Sequence, residues 1–218
     1  KKSYPIHQSP LYLLQSKKKL CTHFGLSLLE VKKLLSRQDL YAISQRKKPG
    51  GKDRTVYIPC PKLKAIQKRI HALLLNIENP SYLTAPVKGR SAAENAYIHR
   101  YSQEHYQLDI QNFFDSVRVS KVYDFFFQQL KCSQDVAGLM KELVTYYGKL
   151  PTGAPSSPII AFYAYLDLWE KINLEVQQSN CIFTLYIDDL TISGSSVPKS
   201  LVWKVKQLIK NHGLGHLD

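Results

Sequence analysis

Apolar positions along this chain recur with two periods, and the change from one to the other organises it. From Lys62 to Ile77, the side chains Leu63, Ile66, Ile70, Leu73, Leu74 and Ile77 fall on one side of a helix. Lys64, Lys68 and Arg69 decorate the rest. Ser27-x-x-Glu30 is a capping box ahead of an apolar face of Leu28, Val31 and Leu35. Ser91-x-x-Glu94 is a second one, opening a helix on which Asn95 and His99, four apart, share a face. Ser9-Pro10 reads as the cap and first residue of an earlier helix that Gly25 stops. "YAISQRKKPGGKDRTVYIP", Tyr41 to Pro59, holds two strand-like runs around Pro49-Gly50-Gly51 and predicts a hairpin. In "HYQLDIQNFF" the period is two: Tyr106, Leu108 and Ile110 face one way, Gln107, Asp109 and Gln111 the other.

Asp115 and Ser116 read as caps of a helix from about Val117. Further helices are expected over Gln134 to Tyr146, Pro158 to about Gln178, and Pro198 to Asn211. "TLYIDDLTISG", Thr184 to Gly194, reads as another hairpin, with Thr184, Tyr186 and Asp188 on one face. The order of elements suits an α+β fold, an antiparallel sheet covered on one face by helices.

Charge changes the picture most. The 218 residues carry 30 Lys and Arg against 17 Asp and Glu, a formal +13, which points to a polyanionic partner. A membrane surface is disfavoured, because the most apolar run, Ile159 to Leu166, is too short to span a bilayer. No charged-then-apolar leader opens the chain. Cys21, Cys60, Cys132 and Cys181 stand singly, which argues against zinc and for reduced, mostly buried thiols of a cytoplasmic protein. The chain begins with Lys1 and ends on "NHGLGHLD", so it reads as a piece of a longer protein.

Two places carry chemistry. Asp109 sits between Leu108 and Ile110 in a core-building strand, where a carboxylate must be paired, solvated or bound to metal. Asp188 and Asp189 are adjacent at a hairpin tip, which fits either a turn or a divalent cation. If the two strands are neighbours, three carboxylates meet, and only cations make that arrangement stable. All-oxygen ligation favours Mg²⁺, with Mn²⁺ the alternative, and two ions are the usual device for nucleotidyl transfer. The basic hairpin, with Arg46, Lys47, Lys48, Lys52 and Arg54 beside two glycines, suits phosphate contact. For Asn95 and His99, structural and RNA-contacting roles stand equal.

These motifs resemble reverse transcriptases. "YIDD" looks like their Y-x-D-D signature, "LDIQNFFDSV" like the segment with their other metal-binding Asp, and "LPTGAPSSP" like their L-P-Q-G-x-x-x-S-P loop. The resemblance runs from about Ala42 to Asp218 and is nearest to the bacterial retron type. "RTVYIPCPKLKAIQKRI", the N-A-x-x-H of Asn95, Ala96 and His99, "GAPSSP" and "DDLTISG" carry that likeness. It implies a right-hand polymerase: fingers of helices and a hairpin over 1–104, and a palm with a ferredoxin-like (RRM-like) antiparallel sheet over 105–218, cut before primer grip and thumb. It implies Asp109, Asp188 and Asp189 as metal-binding triad on two Mg²⁺, with the Ile110 carbonyl a further ligand. Phe114 would be the steric gate against a ribose 2′-OH, Arg54 with Lys52 or Lys47 the triphosphate clamp, and Thr152 and Gly153 the floor under the incoming base.

Lys47, Lys48, Lys64, Lys68, Arg69, Arg90, Asn95 and His99 are the candidate nucleic-acid contacts. The implied partners are a structured noncoding RNA as template and primer, an RNA–DNA hybrid, dNTPs and an accessory effector protein, with a branched product and a role in anti-phage defence. Thr152 stands where the family usually has Gln, and Ile187 where retron enzymes usually have Ala. The alternatives are another bacterial reverse transcriptase, intron-like or defence-associated, and a catalytically silent RNA-binding subunit.

Overall fold

The computed structural model describes residues 3–47 and 53–215. The tip of the basic hairpin, with Lys48 and Lys52, lies outside these residues. In chain order the elements are α1 (Lys17–Thr22), α2 (Leu28–Leu35), β1 (Tyr41–Lys47), β2 (Asp53–Pro59), α3 (Pro61–Leu74), β3 (Leu83–Ala85), α4 (Ala92–Ile98) and β4 (Glu104–Asp109). They continue with α5 (Phe113–Ser116), α6 (Val119–Asp124), α7 (Gln134–Val144), α8 (Ser157–Ala164) and α9 (Leu166–Gln178). Last come β5 (Ile182–Tyr186), β6 (Asp189–Gly194) and α10 (Lys199–Asn211).

The chain forms two compact units, Lys1–Glu78 with Arg118–Ala164, and Asn79–Val117 with Tyr165–Asp218. Residues 79–104 join the second unit because β3 pairs with β5 there.

In the first unit, β1 and β2 form the expected antiparallel hairpin. The apolar stripe of α3 is buried as its spacing requires, and Gln67 is buried with it. Gln67 Nε2 donates to the Tyr41 hydroxyl (2.8 Å) and to the Leu143 carbonyl (2.9 Å). The Ser27 box forms with both bonds. No helix starts at Pro10: Ser9 Oγ accepts from the Leu11 N–H, and Ser16 caps the first α-helix instead. A short polar cap bonds its own turn as readily as a helix, which is why that start was misplaced. Asp115 and Ser116 lie within the short α5, while Arg118 stands at the cap of α6. The expected 158–178 helix is two helices separated at Tyr165 (φ −123°, ψ 26°).

The second unit is built on a four-stranded sheet of order β3-β5-β6-β4. The β5–β6 and β6–β4 pairs are antiparallel, but β3 runs parallel to β5, so the sheet is mixed rather than wholly antiparallel. Register sorts its two faces. Leu185, Leu190 and Leu108 lie abreast, as do Phe183, Ile192 and Tyr106, and this apolar face makes the core up to its edge, where Tyr106 is exposed. Thr184, Thr191 and Gln107 lie abreast on the other face, which is polar. Among the described residues no helix is long and apolar enough to cross a membrane.

Candidate active site

The polar face of the sheet ends in carboxylates. Asp109, the last residue of β4, is the register partner of Asp189, the first residue of β6, and Asp189 also pairs with Tyr186 of β5. Cross-strand partners on one face stand about 4.5–5.5 Å apart at Cβ, and like charges placed so repel. Burial, then the charge of Asp109, hold the Asp189 carboxyl above the usual carboxylate range.

The turn between β5 and β6 is Ile187-Asp188. It uses two residues, so Asp189, not Asp188, continues the face of Thr184 and Tyr186. This corrects the sequence expectation, and the reason is simple. Adjacent residues on extended backbone point to opposite faces, and the turn shifts the count. Among the described residues, no group of three or more His, Cys, Asp or Glu side chains is gathered to hold a metal ion. The fold thus brings Asp109 and Asp189 together as a pair. Asp188 contributes its carbonyl to the same end of the sheet, accepting from the Ile110 N–H (3.2 Å) and tying β4 to the turn. Ile187 stands at φ +62°, a left-handed conformation that costs a β-branched residue roughly 1–2 kcal/mol. The donor set at this end is carboxylate and backbone carbonyl oxygen, which fits Mg²⁺ or Mn²⁺ and not a soft metal.

Beside Asp189 a cavity of about 500 Å³ opens on the polar face, lined by Asn95, Gln107, Tyr186 and Thr191 among others. Helix α4 forms its other wall, and the N-A-x-x-H residues hold that helix down. Asn95 Oδ1 accepts from Thr84 Oγ1 of β3 (3.0 Å). His99 reaches Ser193 Oγ of β6 through Nδ1 (2.6 Å) and Thr184 Oγ1 of β5 through Nε2 (2.7 Å). His99 is 3% exposed, so both ring nitrogens are spent inside the protein and none is left for RNA. Between the two readings of His99, the structure selects the structural one. Burial, and then His105, lower its pKa and keep it neutral.

Phe114 follows in α5, 7% exposed, its ring centroid 5.5 Å from that of Phe113. Asn112 just before it takes φ +51°, the left-handed turn that ends the strand and starts this helix.

The first unit carries its own candidate site. A hollow of about 580 Å³ is lined by Arg46, Lys47, Arg54 and Lys64, with Thr152 and Gly153 among the rest. Arg46 and Arg54 are register partners across the hairpin, a like-charge pair that an anion would relieve. Arg46 was absent from the expected clamp, yet it was legible. Partners in this hairpin are equidistant from Gly50, and 46 and 54 are such a pair. Thr152 Oγ1 donates to the Thr55 carbonyl (3.0 Å), a bond that anchors the loop to β2. At Gly153 an added Cβ would collide with the Tyr57 carbonyl of β2. Gly153→Ala is therefore expected to cost about 1–3 kcal/mol, read as a lowered thermal midpoint; an unchanged midpoint would mean β2 yields without strain.

The remaining candidates fall outside both sites. Arg90 Nη1 donates to the Ser81 (2.8 Å) and Leu83 (2.6 Å) carbonyls, so its guanidinium shapes the approach to β3. Lys68 and Arg69 are exposed on α3, and Arg69 Nε donates to the His23 carbonyl (3.2 Å).

Comparison with known proteins gives the chain a family. The family described as Reverse transcriptase (RNA-dependent DNA polymerase) matches residues 46–215. The chain is similar to the Retron Se72 reverse transcriptase of Salmonella heidelberg (strain 579083-10), 31% identical over 159 residues, 71% of this chain and 42% of that protein. It is similar to two Escherichia coli proteins. The Retron Ec86 reverse transcriptase is 29% identical over 75% of this chain and 51% of its own length. The Retron Ec73 reverse transcriptase is 30% identical over 67% and 51%. The chain thus spans about half the length of the curated relatives it matches.

Proposed function

The chain belongs to the reverse transcriptase (RNA-dependent DNA polymerase) family, as a retron-type member, and from that premise we propose that it carries the fingers and palm of an RNA-directed DNA polymerase. The observation that carries this reading is the Asp109–Asp189 pair, two carboxylates facing each other at the turn end of a polar sheet face. Asp109 and Asp189, with the neighbouring Asp188, would hold the divalent cations, and the Ile110 carbonyl would complete the oxygen shell. A bound Mg²⁺ supplies charge neutralisation for the attacking hydroxyl and the departing pyrophosphate.

The chain's own groups do the positioning. Arg46, Lys47, Arg54 and Lys64 form a basic hollow suited to a triphosphate. The cavity beside Asp189 offers Asn95 and Gln107 amides to the terminal nucleotide of a primer. Phe114 would close the space a ribose 2′-OH needs. The bond formed joins the primer 3′-oxygen to the α-phosphorus of a dNTP, and the bond broken releases pyrophosphate. The finer reading follows the retron resemblance. The template and primer are a structured noncoding RNA, initiation uses the 2′-OH of a branching guanosine, and the RNA-linked DNA serves anti-phage defence with an accessory effector.

The test is primer extension on an RNA template by the full-length protein with dNTPs and Mg²⁺. Extension that stops on chelation of Mg²⁺ is expected. RNA binding with no extension on the cognate RNA would turn the reading to a silent RNA-binding subunit. In the same assay Phe114→Ala should raise rNTP use relative to dNTP by roughly 10- to 100-fold, the usual worth of one excluded group. An unchanged ratio would remove Phe114 from the sugar site.

A further inference from the structure

On the apolar side of the same sheet, away from the Asp pair, the edge of the unit carries an aromatic groove. We propose that the groove between the first half of β4 and the first half of α10 binds an unpaired stretch of RNA, whose bases stack on Trp203 and Tyr106. The choice of RNA over DNA rests on the RNA-directed reading above.

Helix α10 has two stripes. Leu201, Val202, Val205 and Ile209 are buried, Val202 at the border between the stripes. Lys199, Val202, Trp203 and Lys206, spaced three and four apart, share a second face. With Tyr106 and Glu104 of β4 they line a cavity of about 650 Å³. Trp203 is 65% exposed and Tyr106 38%, whereas Trp169, the other tryptophan, is fully buried. The core does not need the Trp203 indole, since the opposite stripe already packs α10. Lys206 Nζ stands 5.6 Å from the centroid of the Tyr106 ring. Glu104, the acid in the lining, is engaged within the protein. Its carboxylate accepts from the Val197 N–H (2.6 Å) and from Ser196 Oγ (3.4 Å). What the groove presents outward is two rings flanked by lysines.

That composition decides the occupant. Protein-binding surfaces are depleted in lysine, while surfaces for single strands combine stacking rings with cations along the backbone track. The groove is also separate from the Asp pair. Tyr106 lies three residues from Asp109 along β4, about 10 Å, and on the other face of the sheet. RNA held here leaves the polar face open.

The test uses intrinsic fluorescence, which requires no catalysis. The full-length protein is titrated with a 12-nucleotide single-stranded RNA without dNTPs or Mg²⁺, and affinity is followed in parallel with a labelled copy. Quenching that saturates with binding is expected, since Trp203 is the exposed indole. Trp203→Phe should abolish the quench and keep most of the affinity. Trp203→Ala should weaken binding by roughly 10-fold. Lys199→Gln with Lys206→Gln should lower the slope of log affinity against log salt by about 1.4. RNA binding that leaves Trp203 emission unchanged overturns the proposal. Equal binding of the DNA of the same sequence overturns the choice of RNA. Loss of self-association on Trp203→Ala, seen by sedimentation, makes the groove a protein interface instead. A quench that persists in a protein unable to extend primers would sink the polymerase reading and keep this one.

Discussion

Asp189→Asn is expected to lower primer extension by about 10³-fold or more, with RNA affinity unchanged. The magnitude follows from losing one carboxylate of the proposed metal site, where the neutralised charge is worth several kcal/mol in the transition state. The same substitution should stabilise the metal-free protein, because it removes the like charge directly opposite Asp109. The sign with pH follows from the raised Asp189 pKa. The folded state holds a proton over a range where the unfolded state has lost it, so stability falls as pH rises through the window just above the ordinary aspartate value of 3.8. Thermal midpoints in chelator should show that fall in the natural protein and lack it in the variant. Adding Mg²⁺ near neutral pH should raise the midpoint of the natural protein only. A variant that still extends primers at the natural rate would remove Asp189 from the site. A midpoint indifferent to Mg²⁺ in both proteins would mean the pair does not take the cation in the free enzyme.

His99→Ala should cost about 3 kcal/mol, roughly 6–12 °C in thermal midpoint, without touching any catalytic group. Ser193 and Thr184, both buried, each lose a partner, and α4 loses its fastening to β5 and β6. The natural protein should also weaken in mild acid. Burial depresses the His99 pKa, so below about 6.5 the unfolded state takes up a proton that the folded state refuses. Stability from this group is whole above that value and is lost as pH falls. The variant should lack this acid-side loss. A midpoint within 1–2 °C of the natural protein, with the acid loss intact, would mean that α4 is held by other contacts.

These two residues mark where sequence reading reached its limit. Asp109 was legible as a strand carboxylate opposite the core, because parity along one strand is a local property. Its partner was not. Asp188 and Asp189 are adjacent, and which one faces Asp109 depends on how many residues the turn consumes. His99 stood undecided because its partners lie 85 and 94 residues away. The three-residue β3 was missed for the same reason, since its partner Leu185 is 102 residues beyond Leu83. The break at Tyr165 hid inside a continuous apolar run, where periodicity has no contrast to reveal an end.

By itself, then, the sequence determined the α+β class, the basic hairpin, the capped helices and the retron-type signature. Each follows from composition or from the spacing of neighbours within one element. Only the tertiary structure decided that Asp189 faces Asp109, that Asn95 and His99 fasten α4 to the sheet, that Arg46 joins Arg54 in one basic hollow, and that residues 79–104 fold with the sheet. Those depend on register between segments far apart in the chain, and register is set by long-range burial, which no local pattern encodes.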